Sequence, residues 1–465
     1  VSNGNGSHGS STDASSSGSR DQRLAWIAEQ GAKGSLRAVV CDLNGIFRGK
    51  RVPFAGAGHA LDGELKLPLS TLFVDVWGND AADTGMILET GDRDGLLRPT
   101  ERGMLPVDWL GTPGVLLPCV MHDETGEPCL LDARNVLAAV TRRWQARGLT
   151  PVCALELEFY LHEPTTDTVS PPRRPDGARL FAGDVYSLQD LDGFDAFLSD
   201  VYAAAERFGI AVGEATSEVG CGQFELNFMH VADPLRAADD AQLFKYLVKG
   251  IAARHEFGAT FMAKPYGDEA GSGLHVHFSV VDADGANVFA GETADGSPML
   301  RAAIAGLVAD MPESMLVFAP HFNSYRRVRD GSHAPTRSTW GYENRTAAIR
   351  VPSGPDHSRR IEHRVAGADA NPYLVLATLL SSALRGIDED RTAPPPLIGS
   401  AYDSPAERLP ASWADAIHQF EGSPRMSALL GEDLVGVFSA VKRQELDLFA
   451  ARLSPFEVET YLDLI

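Results

Sequence analysis

The side chains best able to do chemistry fall in four short runs where reactive and apolar residues alternate. In Ala154–Tyr160, Leu155, Leu157 and Phe159 share one face of a strand, and Glu156 and Glu158 share the other. Gln223–Phe228 sets Gln223, Glu225 and Asn227 against Phe224, Leu226 and Phe228. Leu274–Val280 sets His275, His277 and Ser279 against an apolar face, and Arg359–Val365 puts Arg360, Glu362 and Arg364 on one side. An ordinary solvated sheet also alternates. Such faces use Thr, Lys and Ser freely, whereas these concentrate Glu, His and Arg with hardly a lysine. Crowded carboxylates and imidazoles repel or compete unless cations sit between them, and mixed oxygen and imidazole ligands suit Mg²⁺ or Mn²⁺ better than a structural zinc. Arg345 and Arg350, in a further strand candidate at 344–352, extend the positive side. Metals and arginines together are suited to phosphoryl transfer, where positioning and charge neutralisation supply most of the catalysis. There is no Walker A or kinase-type glycine loop, so a nucleotide would bind through metals and arginines on a sheet.

The elements that must hold these strands are legible around them. Asp21–Gln30 reads as a short helix, and 37–45 with 46–52 as a hairpin. Residues 53–130 are rich in Gly and Pro with short apolar runs, as in a small, mostly β domain. Asp132 is placed to cap a helix carrying Val136, Leu137, Val140 and Trp144, with Gly148 beyond its end. The domain boundary is drawn there, giving a disordered Ser/Gly tail at 1–20, a first domain at 21–130 and a second at 131–465. In the second, Phe194–Phe208, a helix opened by Asn371-Pro372, and a helical stretch at 427–451 alternate with the strands.

Composition bounds the partners. A length of 465 residues exceeds one ordinary core, and 44 % hydrophobic with 22 % charged residues reads as a soluble globular protein. With 41 Lys and Arg against 63 Asp and Glu, the net charge of −22 argues against binding nucleic acid or an anionic membrane. No apolar run approaches the roughly 18 residues that span a bilayer, and the N-terminal residues contain no signal-peptide h-region. The 5 cysteines show no metal-finger spacing, which points to a reducing cytoplasm, with Cys41 and Cys153 in apolar runs serving as small buried hydrophobes.

Several of these stretches resemble the glutamine synthetase superfamily in order and spacing. They are Glu156-Leu-Glu158, Glu218–Glu225, Gly271–His277, Asn323–Arg327, Asn344-Arg345 with Arg350-Val-Pro352, and Arg360–Arg364 followed by Asn371–Leu374. The resemblance runs from about residue 23 to the C-terminus. It implies an α+β fold: an N-terminal β-grasp domain, then a catalytic domain whose curved antiparallel sheet is flanked by helices. It also implies stacked rings, usually a dodecamer of two hexamers, with each site completed by a neighbour. By resemblance, Glu158, Glu218 and Glu225 hold one divalent ion, and Glu156, His275 and Glu362 another. His277, Ser279 and Arg360 serve ATP, while Arg345, Arg350 and Arg364 serve the transferred phosphoryl group and the intermediate. Arg327, the backbone at Gly271, and Arg345 with Arg364 hold glutamate. The implied chemistry is attack of the glutamate γ-carboxylate on ATP, then displacement of phosphate by an amine.

The pattern breaks where ammonium would bind. The flap motif of true glutamine synthetases carries an acid where this chain has His333, and their Phe-Asp-Gly-Ser-Ser stretch matches the acid-free Lys66–Leu72. An Asn usual before Gly-Ser-Gly is Ala270. Losing carboxylates removes the preference for a small cation, while a histidine still accepts a proton near neutral pH. Phe73, Val74, Asp75 and Trp77 could line a wider, more apolar pocket. Leu69–Asn79, Ala263–Tyr266 and Val365–Tyr373 look more like the γ-glutamylpolyamine (γ-glutamylputrescine) synthetase branch. The expected substrates are therefore glutamate, ATP and a small organic amine such as putrescine. An ammonia-using glutamine synthetase and a non-catalytic ring paralogue are the alternatives. Tyr402 falls where some bacterial members carry an adenylylated tyrosine, although a tyrosine in such a Pro-rich loop can also simply anchor it.

Overall fold

A thirteen-residue strand, β7 (Thr150–His162), runs through the middle of the larger of two sheets. The computed structural model describes residues 19–29, 33–87, 89–164, 169–291 and 295–465. The tail expected at 1–20 lies outside the described residues up to position 18, and the first helix begins at Arg20 (Arg20–Glu29). The first sheet comprises β1 (Ser35–Cys41), β2 (Phe47–Pro53), β3 (Lys66–Pro68), β4 (Asp94–Pro99), β5 (Leu105–Val107) and β6 (Gly114–His122). Its order is β2-β1-β6-β4-β3, with β5 beside β6; β1 and β2 form the expected hairpin, and β6 closes on β1 in parallel, as in a β-grasp.

The second sheet adds to β7 the strands β8 (Val212–Ser217), β9 (Gln223–Phe228), β10 (Gly258–Thr260), β11 (Leu274–Val281), β12 (Trp340–Tyr342), β13 (Ile349–Val351) and β14 (Ile361–His363). The order is β12-β13-β14-β11-β7-β9-β8, with β10 on β7, and the sheet curves until it is nearly closed. It is not wholly antiparallel: β12 and β13, joined by residues 343–348, run parallel. The strand expectations at 344–352 and 359–365 also contract, to three residues each. Arg345 consequently sits in a turn, where the Asn344 side chain accepts from the Thr346 N–H at 3.0 Å.

The apolar faces of these strands make the core. Phe159 on β7 meets the rings of Phe197, Phe224, Phe244 and Phe261 at centroid distances of 5.5–6.4 Å. Each such ring stabilises the fold by roughly 2–3 kcal/mol through burial. Phe197 belongs to the helix Asp195–Arg207 and Phe244 to Pro234–Arg254, so these helices fix the back of the sheet and leave its polar face free. Asp132 caps Ala133–Gln145 as expected, accepting from the Arg134 N–H. Asn371 caps Pro372–Asp388 and also donates through Nδ2 to the Asp42 carbonyl at 3.0 Å, tying the first sheet to the second. The C-terminal stretch is two helices, Pro424–Leu430 and Glu432–Ala450, broken where Gly431 takes a φ of 100°.

Helices Pro298–Asp310 and Pro372–Asp388 cross at Gly306 and Gly386, where a Cβ would collide with the carbonyls of Ser382 and Ala302. Gly306→Ala is therefore expected to lower unfolding stability by about 1–3 kcal/mol. Gly436→Ala, in open helical space, should be neutral or stabilise by about 0.5–1 kcal/mol; thermal unfolding of the two variants makes the comparison.

Candidate active site

Strand register brings the reactive side chains together. On β7 and β9, Glu158 faces Glu225 and Glu156 faces Asn227; across β7 and β11, Glu156 faces His275. Glu362 on β14 faces His277 on one side and Arg350 of β13 on the other. Opposed side chains have Cβ atoms about 4.5–5.5 Å apart, so like charges there repel directly. The result is a cavity of about 620 Å³.

Its floor contains Glu156, Glu158, Glu218, Glu225, His275, His277 and Glu362, and its positive wall Arg327, Arg345, Arg350, Arg360 and Arg364. Gly271 and His333 line it too. Ser279 does not; two residues beyond His277, it pairs in register with Val152 and lies past the cavity end. The first sheet contributes no lining residue among those described. Phe73, Val74 and Asp75, expected at the pocket, are instead buried. The Asp75 carboxylate accepts from the backbone N–H groups of Trp77 and Asn79 and from Gln444 Nε2, so only Trp77 of that segment reaches solvent.

The electrostatics divide the carboxylates. Burial and the charge of Glu158 push the Glu218 carboxyl up to about 7. Burial and the charges of Glu156, Glu158 and Glu218 raise Glu225 well above the carboxylate range. Burial also works against Glu156, but the neighbouring His275 and His277 hold its pKa well below normal. Glu362 is likewise lowered against burial, chiefly by Arg364, and its oxygens take Arg364 Nη1 and Arg350 Nη1, the latter at 2.8 Å. Arg350 reaches Glu343 at 3.0 Å with its other nitrogen. Arg360 Nε donates to His277 Nδ1 at 3.1 Å.

Two groupings converge closely enough to share a cation: Glu156, Glu225 and His275, and Glu156, His277 and Glu362. These differ from the expected sets. Glu158 and Glu218 line the same cavity but fall in neither grouping, and Glu156 belongs to both; Glu158 Oε2 accepts from the Gly273 N–H at 2.7 Å. The donor set fits hard divalent ions. His277 Nε2 supports that fit: it is buried, 2.8 Å from Glu156 Oε1, yet out of line for a hydrogen bond to any partner.

Gly271 is required by close approach, since a Cβ there would come within 2.7 Å of Arg327 Cγ and the Ala263 carbonyl. Arg327 is buried and donates to the Val365 carbonyl at 2.8 Å, which leaves part of its guanidinium facing the cavity. The Ala270 carbonyl accepts from the Tyr160 hydroxyl at 2.7 Å. His333 is exposed at the rim with φ 63°, a left-handed conformation that histidine tolerates better than most residues. The Tyr402 hydroxyl donates to the adjacent Ala334 carbonyl at 3.2 Å, so that tyrosine anchors the His333 loop. Sequence reasoning missed Val185 and Tyr186 as lining residues. They lie in a turn with no periodic pattern, and a positive φ of 62° at Tyr186 has no signature in a tyrosine codon.

An α+β fold of two sheets, the larger nearly closed with Glu, His and Arg facing one cavity, defines a ligase-type phosphoryl-transfer site. The description "Glutamine synthetase, catalytic domain" matches residues 130–461, and the chain belongs to the glutamine synthetase family. It is 37% identical over 432 residues to gamma-glutamylputrescine synthetase PuuA of Escherichia coli K12, covering 91% of this chain and 90% of that one. It is 32% identical to glutamate–isopropylamine ligase of a Pseudomonas species, covering 93% and 95%. The solved ligand-free structure of GmaS superposes with a TM-score of 0.82 at 28% identity, covering 95% of this chain and 99% of that one.

Because Glu156 belongs to both cation groupings, Glu156→Gln should weaken Mn²⁺ binding by more than about tenfold, measured by calorimetry. Binding has to displace the proton that burial and the neighbouring carboxylates hold on Glu225, whose pKa is pushed up to about 9, so affinity should fall as the pH drops below about 9, with a proton released on binding. Titrations in buffers of different ionisation enthalpy measure that release.

Proposed function

We propose that this chain joins an organic amine, putrescine or a similar small amine, to the γ-carboxylate of L-glutamate at the expense of ATP, through γ-glutamyl phosphate. The observation that carries this reading is the pairing of a complete Glu, His and Arg floor with a rim that has His333 where an ammonium-binding acid would stand. The relatives named for putrescine and isopropylamine support it.

Glu156, Glu225 and His275, and Glu156, His277 and Glu362, would hold two Mg²⁺ or Mn²⁺ ions, with Glu158 and Glu218 alongside them. Bound there, the ions would neutralise phosphate oxygens and act as Lewis acids. Arg360, which donates to His277 Nδ1, binds the nucleotide phosphates beside the cation grouping that contains His277. Arg345, exposed in its turn, and Arg350 and Arg364, now held by Glu362, swing onto the transferred phosphoryl group and the acyl phosphate. Arg327 and the backbone at Gly271 orient glutamate, with Arg345 and Arg364 assisting. His333 takes a proton from the substrate ammonium group; the free amine then attacks the acyl carbon of γ-glutamyl phosphate, the bond to phosphate breaks, and phosphate leaves.

The segment 66–77 lies away from this chain's own cavity. A ring of copies, two stacked hexamers by family resemblance, would bring it to a neighbour's site. The free cysteines fit a reducing cytoplasm. Among the described residues no helix is long and apolar enough to cross a membrane.

Phosphate release with glutamate, ATP, Mg²⁺ and a panel of amines tests the reading. Diamines and alkylamines should turn over well and ammonium poorly; strong activity with ammonium alone would reverse it. His333→Asn, which keeps the left-handed backbone accessible, should lower kcat/KM for amines by about 100-fold, with the KM values for glutamate and ATP little changed.

A further inference from the structure

Of the arginines on the cavity wall, Arg350 is the one gripped by a carboxylate on each side. Its Nη1 donates to Glu362 Oε2 at 2.8 Å and its Nη2 to Glu343 Oε2 at 3.0 Å. Glu362 belongs to a cation grouping with Glu156 and His277, whereas Glu343 belongs to neither grouping and does not line the cavity. The other Glu343 oxygen, Oε1, accepts from the Ser353 N–H, and the Glu343 N–H donates to the Val351 carbonyl at 3.1 Å. One glutamate thus ties the turn carrying Arg345 to β13, which carries Arg350, and to the loop that leads to Arg360. The Ser353 N–H and the Arg350 guanidinium lower the Glu343 carboxyl to about 2, so it stays ionised as a fixed counter-charge. Glu343 also holds a φ of 50°, a left-handed conformation that Gly, Asn or Asp adopts more readily than glutamate. A turn with no other task would favour one of those residues, and strain of this kind persists where surrounding structure imposes it. Arg350 Nε is buried without a hydrogen-bond partner, a donor still unsatisfied once both carboxylates are served.

We propose that Glu343 is a positioning residue for phosphoryl transfer: it keeps hold of one edge of Arg350 when Glu362 turns to a cation, so that the other edge meets the transferred phosphoryl group. The inference rests on the ligase reading above and adds to it a residue outside the cavity. In the step concerned, a γ-carboxylate oxygen of glutamate bonds to the γ-phosphorus of ATP, the bond from that phosphorus to the bridging oxygen breaks, and ADP leaves with the electron pair. A divalent charge at Glu362 competes with its bond to Arg350. A guanidinium released on both sides would sample many rotamers, whereas one still held at Nη2 pivots and keeps Nη1 at the cavity. Arginine suits this division because its donors form a rigid planar fork. Glu343 touches neither substrate nor cation, so its loss falls on the transfer step and not on binding.

Variants of the full chain separate this from a structural role. Glu343→Gln keeps the length and the acceptor for Ser353 but loses the charge facing Arg350, and Glu343→Asp keeps the charge and suits the left-handed backbone. Arg350→Lys, alone and combined with Glu343→Gln, completes a double-mutant cycle. Steady-state kinetics with ATP, glutamate, Mg²⁺ and the parent's best nitrogen substrate should show kcat falling about 10- to 100-fold in Glu343→Gln. The KM values should stay within about threefold, and Glu343→Asp should keep kcat within about fivefold of the parent. The first turnover, followed as ADP formed with enzyme in excess over ATP, should slow by the same factor as kcat. In the Arg350→Lys background, Glu343→Gln should cost no more than about twofold further. Additive losses in the cycle, raised KM values in place of a lowered kcat, or equal losses in Glu343→Asp and Glu343→Gln would overturn the proposal. A parent that makes a γ-glutamylamine while Glu343→Gln matches its kcat refutes this inference and leaves the ligase reading standing. A parent that forms no ADP with glutamate and any amine or ammonium refutes both.

Discussion

Carboxylates confined to one buried sheet face cannot all remain ionised without something positive among them, and the rest of this molecule is organised around that repulsion. Glu158 opposite Glu225, with Glu156 and Glu218 close by, would destabilise a sheet that had only to fold. The structure meets the repulsion in three ways. Glu362 is matched by Arg350 and Arg364, Glu156 is matched by two imidazoles, and Glu218 and Glu225 keep their protons more tightly than usual. Divalent cations answer the same repulsion and would replace those protons.

The opposite face of the same strands makes this tolerable. Leu155, Leu157 and Phe159 are fully buried against Phe224, Phe244 and Phe261, and helices close over them. The hydrophobic face holds the strand backbone in register, and register alone decides which reactive side chain meets which. A slip of one residue would turn Glu156 and Glu158 into the core and Leu155 and Leu157 into the cavity. Preorganisation of the charges is thus a consequence of packing on the side that does no chemistry.

The rim is built on different terms. Arg345, His333 and Tyr186 all lie in turns, two of them at positive φ, and each is positioned by a few hydrogen bonds in place of a packed face. Asp330 accepts from Thr336, and Ser332 donates to carbonyls within its own loop, while Tyr402 reaches across to Ala334. Such segments move more readily than strands, as befits groups that must admit substrates and then close on them. Floor and rim therefore differ in kind: charges fixed on packed strands below, and side chains on adaptable turns above.

By itself the sequence determined the floor. Strict alternation along four runs is a local signal, and local signals survive without knowledge of the partner strand, so Glu156, Glu225, His275 and Glu362 could be placed on reactive faces from their spacing. The helix caps Asp132 and Asn371 were legible for the same reason. Only the tertiary structure decided how those side chains group. It put Glu156 into both of the close acidic and imidazole groupings, left Ser279 past the end of the cavity, and buried Phe73 and Asp75 away from it. It also brought in Tyr186, whose position depends on bonds to residues 31 and 36 places away from their donors, Tyr186 to Ser217 and Gly183 to Val219. Alternation tells which way a side chain points; what it points at depends on strand register and turn conformation, which are set by contacts between residues far apart in the chain.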